Sequence, residues 1–344
     1  MKNNIISLEE FSSKIGVSTA TVSSVFNNRS KERRISPKTV ELVKLQARKL
    51  GYQPNVAARR LRVQKDMKVC ELVVVTAYES PFAVTSNLVK MLEQTAAKYY
   101  KDITPLVEIV MFHRNKISEV PGILDGSRFN GAIITNTGFE DDSFFMENRV
   151  LYPIVFLGRE IPGYSCVTGD AYHMGTEAAE ELICECKCED IAVITPRHEL
   201  LTQTTKGRLD GFLDKCVENE IHCAVIEADD INEKSGAEAI DAYLKKHNLD
   251  GLFCVSDMLA VGSYYSIKNH GFSIPEDIAV VGIGDVSVCE YLNPPLTLFS
   301  KVNGDMKDEY AAKMLLEQIY GQKQGEVSRV FHASLVRNGS SMRL

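Results

Sequence analysis

At 344 residues the chain has ample length for two or three domains with sizeable cores. Its composition is that of an ordinary globular protein, and no apolar run is long enough to cross a bilayer, which excludes fibrous, disordered and helical membrane classes. Charge is split: residues 1–62 hold 13 of the 39 basic residues but only four of the 46 acidic ones, a basic head on an acidic body that calls for a polyanion at one end only.

The segment MKNNIISLEEF carries acids where a signal peptide needs its apolar core, so the cytoplasm is the expected compartment. Nine cysteines, odd in number and irregular in spacing, fit reduced thiols in a large intracellular protein. Their one cluster, Cys184, Cys186 and Cys188, falls in a predicted helix, where neighbours two apart do not face each other. No histidine lies near to complete a zinc pattern, so neither a metal nor a cofactor is expected.

In LEEFSSKIGVSTATVSSVF, residues 8–26, Leu8, Phe11 and Ile15 recur at helical spacing until Gly16 breaks the pattern. Ser18 precedes a second helical run with Val22, Val25 and Phe26, and its hydroxyl suits a cap. Two short helices around such a turn form the unit that lays its second helix in the DNA major groove. A small helical bundle without nucleic acid shares the pattern, but the basic charge of the same segment favours DNA. Thr19, Ala20, Ser23 and Ser24 would face outward, all small enough for close approach.

NNRSKERRIS then reads as a surface loop, with Arg29, Lys31, Arg33 and Arg34 placed for phosphates. Ser36 and Pro37 start a third helix with Val40, Val43, Ala47 and Leu50 inward, ended by Gly51. Beyond Pro54, Asn55 can cap a short helical VAARRLR, too short to be stable alone. Its exposed Leu61 is either a wedge for the minor groove or a stray linker leucine.

From Cys70 strands alternate with helices in two similar series, the mark of two parallel-sheet lobes. Helices are predicted over 83–100, 116–124, 141–148, 172–186, 204–218, 232–247, 258–269 and 304–319, and a last strand over 329–336. There is no GxGxxG after the first strand, no GxxxxGK[ST], no G-x-S-x-G and no HExxH, so nothing in the body calls for catalysis. A cleft between two such lobes is a good small-molecule site at the carboxyl ends of the strands. Ser80, Asn136, Arg159, Asp170, Asp257 and Asp285 fall there. Asp257 suits sugar hydroxyls, and it suits equally a cap for the helix that follows.

GVSTATVSSVFNN, LGYQPNVAARRLR, ESPF, KGRLDGF (206–212), VSDMLAVG (255–262), PEDIAVVGIGD (275–285) and PPLT (294–297) together carry a resemblance. The chain resembles the lactose-repressor and galactose-repressor family of bacterial transcription regulators over essentially its whole length. The resemblance implies an all-α helix-turn-helix head at 1–52, a hinge helix and linker at 53–67, and an α/β periplasmic-binding-protein-like body at 68–344. That body would be two Rossmann-like lobes, the first at about 68–162 and 292–323, the second at about 163–291 and 324–344.

It further implies a homodimer that represses carbohydrate-related genes from a near-palindromic operator, under a sugar-like effector in the cleft. A body that answers another metabolite or a protein partner is the alternative. No enzymatic activity and no membrane partner are implied. By the resemblance Thr19, Ala20, Thr21, Ser23 and Asn27 line the DNA, and the segment's own pattern adds Ser18 and Ser24 on the same front and Arg29, Arg33 and Arg34 beside it. Asn55, Ala58, Arg59 and Leu61 form the hinge, with Leu61 inserted between central base pairs. Arg208 and Asp257 match the effector pair, and Phe82 belongs to ESPF. Ser24 replaces a common arginine, and Ala77, Ile231 and Gly284 depart from common acidic or aromatic positions, which weakens the common hexose readings.

Overall fold

The computed structural model describes residues 8–26, 30–31, 33–50, 52, 69–80, 82–124, 129–150, 152–284, 287–300, 304–320 and 326–343. Asn27, Arg29, Asn55, Ala58, Arg59, Leu61 and Asp285, and with them the expected hinge, lie outside these residues.

The head is three helices: α1 Leu8–Ile15, α2 Thr19–Phe26 and α3 Pro37–Leu50. Gly16 takes φ +65°, a left-handed turn that a side chain would strain. Ser18 Oγ accepts the Thr21 N–H at 3.1 Å, and Ser36 Oγ accepts the Thr39 N–H at 3.1 Å, so both predicted caps form. Phe11, Val22, Val25, Phe26, Val43, Ala47 and Tyr52 make the core. Tyr52 stacks on Phe11 at 4.2 Å between ring centroids, and burial pushes its phenol up to about 12.

The body has two six-stranded sheets. The first joins β1 Val69–Ala77, β2 Thr104–Phe112, β3 Gly131–Thr135, β4 Ile154–Leu157, β5 Ser165–Gly169 and β11 Ser328–Phe331, in the order β11-β5-β4-β3-β1-β2, all parallel. The second joins β6 Ile191–Pro196, β7 Cys223–Ala228, β8 Gly251–Cys254, β9 Ala279–Ile283, β10 Thr297–Ser300 and β12 Ser334–Val336. Its order is β12-β10-β9-β8-β6-β7, parallel but for the β10–β12 pair.

Both faces of the first sheet are covered, which is why β1 reads as an apolar run. Leu72 and Val74 pack on α4 Phe82–Tyr99 and α10 Gly304–Ile319, while Val73 and Val75 join Phe112, Ile117 and Phe145 on the other side. The remaining helices are α5 Phe139–Glu147, α6 Ala171–Glu180, α7 Gln203–Glu218, α8 Glu233–Leu244 and α9 Asp257–Asn269.

The sheets divide the chain at other points than the sequence predicts. β5 and β11 belong to the first lobe and β10 to the second, so the described chain changes sheet at Asp170 and at His332–Ala333, and also between β10 and α10. The predicted crossing near Gly163 is instead a tight turn (φ +90°) inside the first lobe. No helix separates β4 from β5, so nothing local marks β5 as their neighbour. The single predicted strand over 329–336 is two strands in two sheets. The predicted helix over 116–124 is one short turn, Ile117–Glu119. That over 172–186 ends at Glu180 and continues as a wider turn to Glu185. No helix among the described residues is long and apolar enough to cross a membrane.

Candidate DNA-reading head and interlobe cleft

On the head, Ser18, Thr19 and Ala20 are exposed and Thr21, Ser23 and Ser24 half-buried, along the front of α2. Several hydroxyls are engaged locally. Ser18 Oγ and Thr21 Oγ1 share a 2.8 Å bond, and Ser24 Oγ donates back to the Ala20 carbonyl at 2.7 Å. Lys31, Arg33 and Arg34 are exposed on the turn before α3. Small side chains with cations beside them suit a surface that approaches a polyanion closely.

In the body, segments that follow strand ends in the two sheets meet, Thr204 with Gly158 and Arg114 with Leu200. Arg208, on α7, donates Nη1 to the Val255 carbonyl at 2.9 Å, two residues before Asp257. Asp257 is 5% exposed and accepts the Met258 N–H at 2.9 Å and the Ser256 hydroxyl at 3.3 Å, so it braces the start of α9 as well as lying at a strand end. Arg208 stands where it does because α6 and α7 cross on two glycines. A Cβ on Gly175 would come 2.1 Å from the Arg208 carbonyl, and one on Gly211 2.1 Å from the Tyr172 carbonyl. Gly211→Ala is therefore expected to cost about 1–3 kcal/mol through overpacking. It should also move Arg208, so that any cleft ligand loses affinity more than the head loses DNA. Urea unfolding and paired titrations of ligand and DNA check it.

Other sequence-predicted residues fall in three groups. Asp170 caps α6 through the His173 N–H (3.2 Å) and pairs with His332 Nδ1 at 3.1 Å, which ties two crossing segments together. Phe82 is exposed, Asn136 is half-buried in a left-handed turn (φ +57°), and Ile231 is half-buried beside Asp230. Ser80 and Arg159 point inward instead. The Ser80 hydroxyl accepts from Thr76, and Arg159, 2% exposed, gives Nη1 to the Thr137 carbonyl and hydroxyl and to Asp142 Oδ1 at 3.4 Å. Thr137 in turn donates to Asp142. Burial pulls the Arg159 guanidinium below its usual range, opposed by Asp142. Arg159, expected among the effector contacts, is held in a buried brace beyond the end of β4.

Sequence reasoning missed the seam between the lobes. Gln203, the first residue of α7, accepts the Glu160 N–H (3.0 Å) and donates to the Glu160 carbonyl (3.2 Å) and Asp142 Oδ2 (3.1 Å). Thr204 donates to the Gly158 carbonyl at 2.6 Å, and Arg114 to the Leu200 carbonyl at 2.7 Å. Burial lowers the Arg114 guanidinium from its usual range, with Glu79, Asp141 and Asp230 acting against it. The one local signal is Thr202, a predictable cap that binds the Thr205 N–H at 3.2 Å and so sets where Gln203 and Thr204 emerge.

Comparison with known proteins fits both parts. The lacI family of bacterial regulatory proteins matches residues 7–55, and the periplasmic binding protein-like domain matches 162–341. The HTH-type transcriptional repressor CytR of Escherichia coli (strain K12) is 24% identical over 345 residues, spanning 98% of this chain and 96% of that protein. The HTH-type transcriptional repressor PurR of Actinobacillus pleuropneumoniae serotype 3 (strain JL03) is 26% identical over 336 residues, spanning 96% of each. Among solved structures, the lac repressor dimer bound to operator and the anti-inducer ONPF superposes with a TM-score of 0.68 at 21% identity, over 99% of this chain and 100% of that one. The transcriptional regulator CelR–cellobiose complex gives 0.67 at 22% identity, over 97% and 99%. A chain that matches both domain descriptions in this order, and aligns nearly end to end with regulators of the same plan, belongs to the lacI family of bacterial regulatory proteins.

Proposed function

We propose that this repressor binds a near-palindromic operator as a homodimer, and that a small sugar-like effector in the interlobe cleft sets its affinity by changing the relation of the lobes. The observation that carries this is that one helix, α7, reaches across to Gly158 of the first lobe through Thr204 and, one turn on, to the Val255 strand end through Arg208, in a chain with a helix-turn-helix head. Solved structures of similar proteins support it: one is a repressor dimer bound to operator, another a complex with cellobiose. Residues 1–52 are the head, 53–67 the hinge that folds on DNA, and Leu61 its minor-groove wedge. Thr19, Ala20, Thr21, Ser23 and Asn27 meet the major groove, and Arg29, Arg33 and Arg34 the phosphates.

Protection mapping on the DNA flanking the protein's own gene tests the first half. A protected two-fold site with a hyper-reactive centre is the expected result. Affinity should fall linearly with salt on logarithmic axes, and Arg33→Ala should reduce that slope by about 1 for all sequences alike. A sugar panel, read as displacement of that complex, tests the second half. The half-buried Ile231, where an aromatic platform is common, favours a second reading in which the effector is not a hexose. Displacement by another metabolite pool, with no response to sugars, would select it.

A further inference from the structure

The head's α2 lacks every side chain that makes paired hydrogen bonds to a base. Its sequence, TATVSSVF, contains no arginine, lysine, asparagine, glutamine or carboxylate. Guanine is most often read by arginine or lysine, adenine by asparagine or glutamine, and cytosine by a carboxylate. Three hydroxyls along the front of α2 are engaged within the head itself. Those of Ser18 and Thr21 bind each other at 2.8 Å, and Ser18 also holds the Thr21 N–H. The Ser24 hydroxyl, at the site where an arginine is common, gives its proton to the Ala20 carbonyl at 2.7 Å.

What α2 presents outward at its front is the methyl of Ala20 and the γ-methyl and hydroxyl of Thr19, both residues exposed. The base feature that pairs with a methyl in the major groove is the C5-methyl of thymine. Side chains this short also let the helix backbone come close enough for such contact. The turn cations Lys31, Arg33 and Arg34 strengthen binding without choosing a base.

We infer that α2 reads its half-site through thymine methyl groups, so that the base pairs facing Thr19 and Ala20 are A·T pairs chosen by apolar contact. This rests on the reading of the head as a DNA-binding unit and deepens it to a class of operator. Each methyl contact should be worth about a three- to tenfold change in affinity.

The test uses the full chain and two random duplex pools, one made with thymine and one with uracil, which differ only in that methyl. Selection in the thymine pool should enrich a two-fold motif with A·T pairs in each half-site. Single thymine-to-uracil changes in the enriched duplex should weaken binding about three- to tenfold at one or two positions per half-site. Thr19→Ser, which keeps the hydroxyl and removes the methyl, should erase the difference at one of those positions and leave the salt slope unchanged. Equal enrichment of the same motif in both pools would overturn the inference while leaving the repressor reading intact. So would a motif whose guanines, replaced by 7-deazaguanine, cost more than any thymine replaced by uracil. Enrichment in neither pool would overturn the DNA reading and the inference with it.

Discussion

Replacing Arg159 with methionine is expected to cost the body about 3–5 kcal/mol, enough to leave much of it unfolded at ordinary temperature. Asp142 is 2% exposed and its carboxylate faces the Arg159 guanidinium at 3.4 Å, inside a knot closed by Thr137. Removing one partner strands a buried charge that water cannot reach. Arg159→Met with Asp142→Asn removes both charges, while the new side-chain amide offers its oxygen to Gln203 and its NH2 to the Thr137 hydroxyl that Arg159 no longer occupies. The double variant should recover more than half of the loss. Urea unfolding of the three proteins measures this. A single variant as stable as wild type would show that the knot is not what holds the segment beyond β4.

That knot also marks where sequence reading stops. The head was legible because its determinants are local: Gly16 breaks a helix, Ser18 caps the next N–H, and Phe11 lies at helical spacing from its neighbours. Strand-and-helix alternation likewise points to two parallel sheets. Arg159 follows a strand directly, a position that by sequence alone faces the cleft. Its direction is fixed by Thr137 and Asp142, brought from the end of another strand and from α5. The lobe boundaries failed for a related reason. β5 and β11 meet through pairing of residues about 160 positions apart, Ser328 with Cys166, and no periodicity in either stretch encodes a partner so distant. Arg208 was legible only by resemblance, because its position depends on the close crossing at Gly175 and Gly211.

The seam between the lobes yields the second large effect. Gln203→Glu changes one NH2 group to oxygen and should open the seam at neutral pH. In the wild type the amide matches both backbone groups of Glu160, accepting from its N–H and donating to its carbonyl, and also donates to Asp142. An ionised glutamate has no proton to donate, so two of these three bonds reverse to repulsion. At about 3 Å from Asp142 the like charges oppose closure by about 5 kcal/mol at an effective dielectric near 20. Arg159 softens this, since it faces the same carboxylate, and Arg114 lies in the same seam through Leu200. Once protonated, the introduced carboxyl can donate again, so closure should return as pH falls through the raised pKa of the new acid and be lost as pH rises. The Glu160 amide reports this directly. Its hydrogen exchange, corrected for the intrinsic pH dependence, should be faster than wild type at neutral pH and approach wild type in mild acid. If closure of the lobes sets DNA affinity, operator binding of the variant should follow the same pH curve and that of Gln203→Ala should not, because alanine has no proton to regain. Wild-type exchange at Glu160 in Gln203→Glu at neutral pH would mean that the lobes are held by Thr204 and Arg114 alone. A pH-dependent amide with pH-independent operator affinity would separate lobe closure from control of DNA.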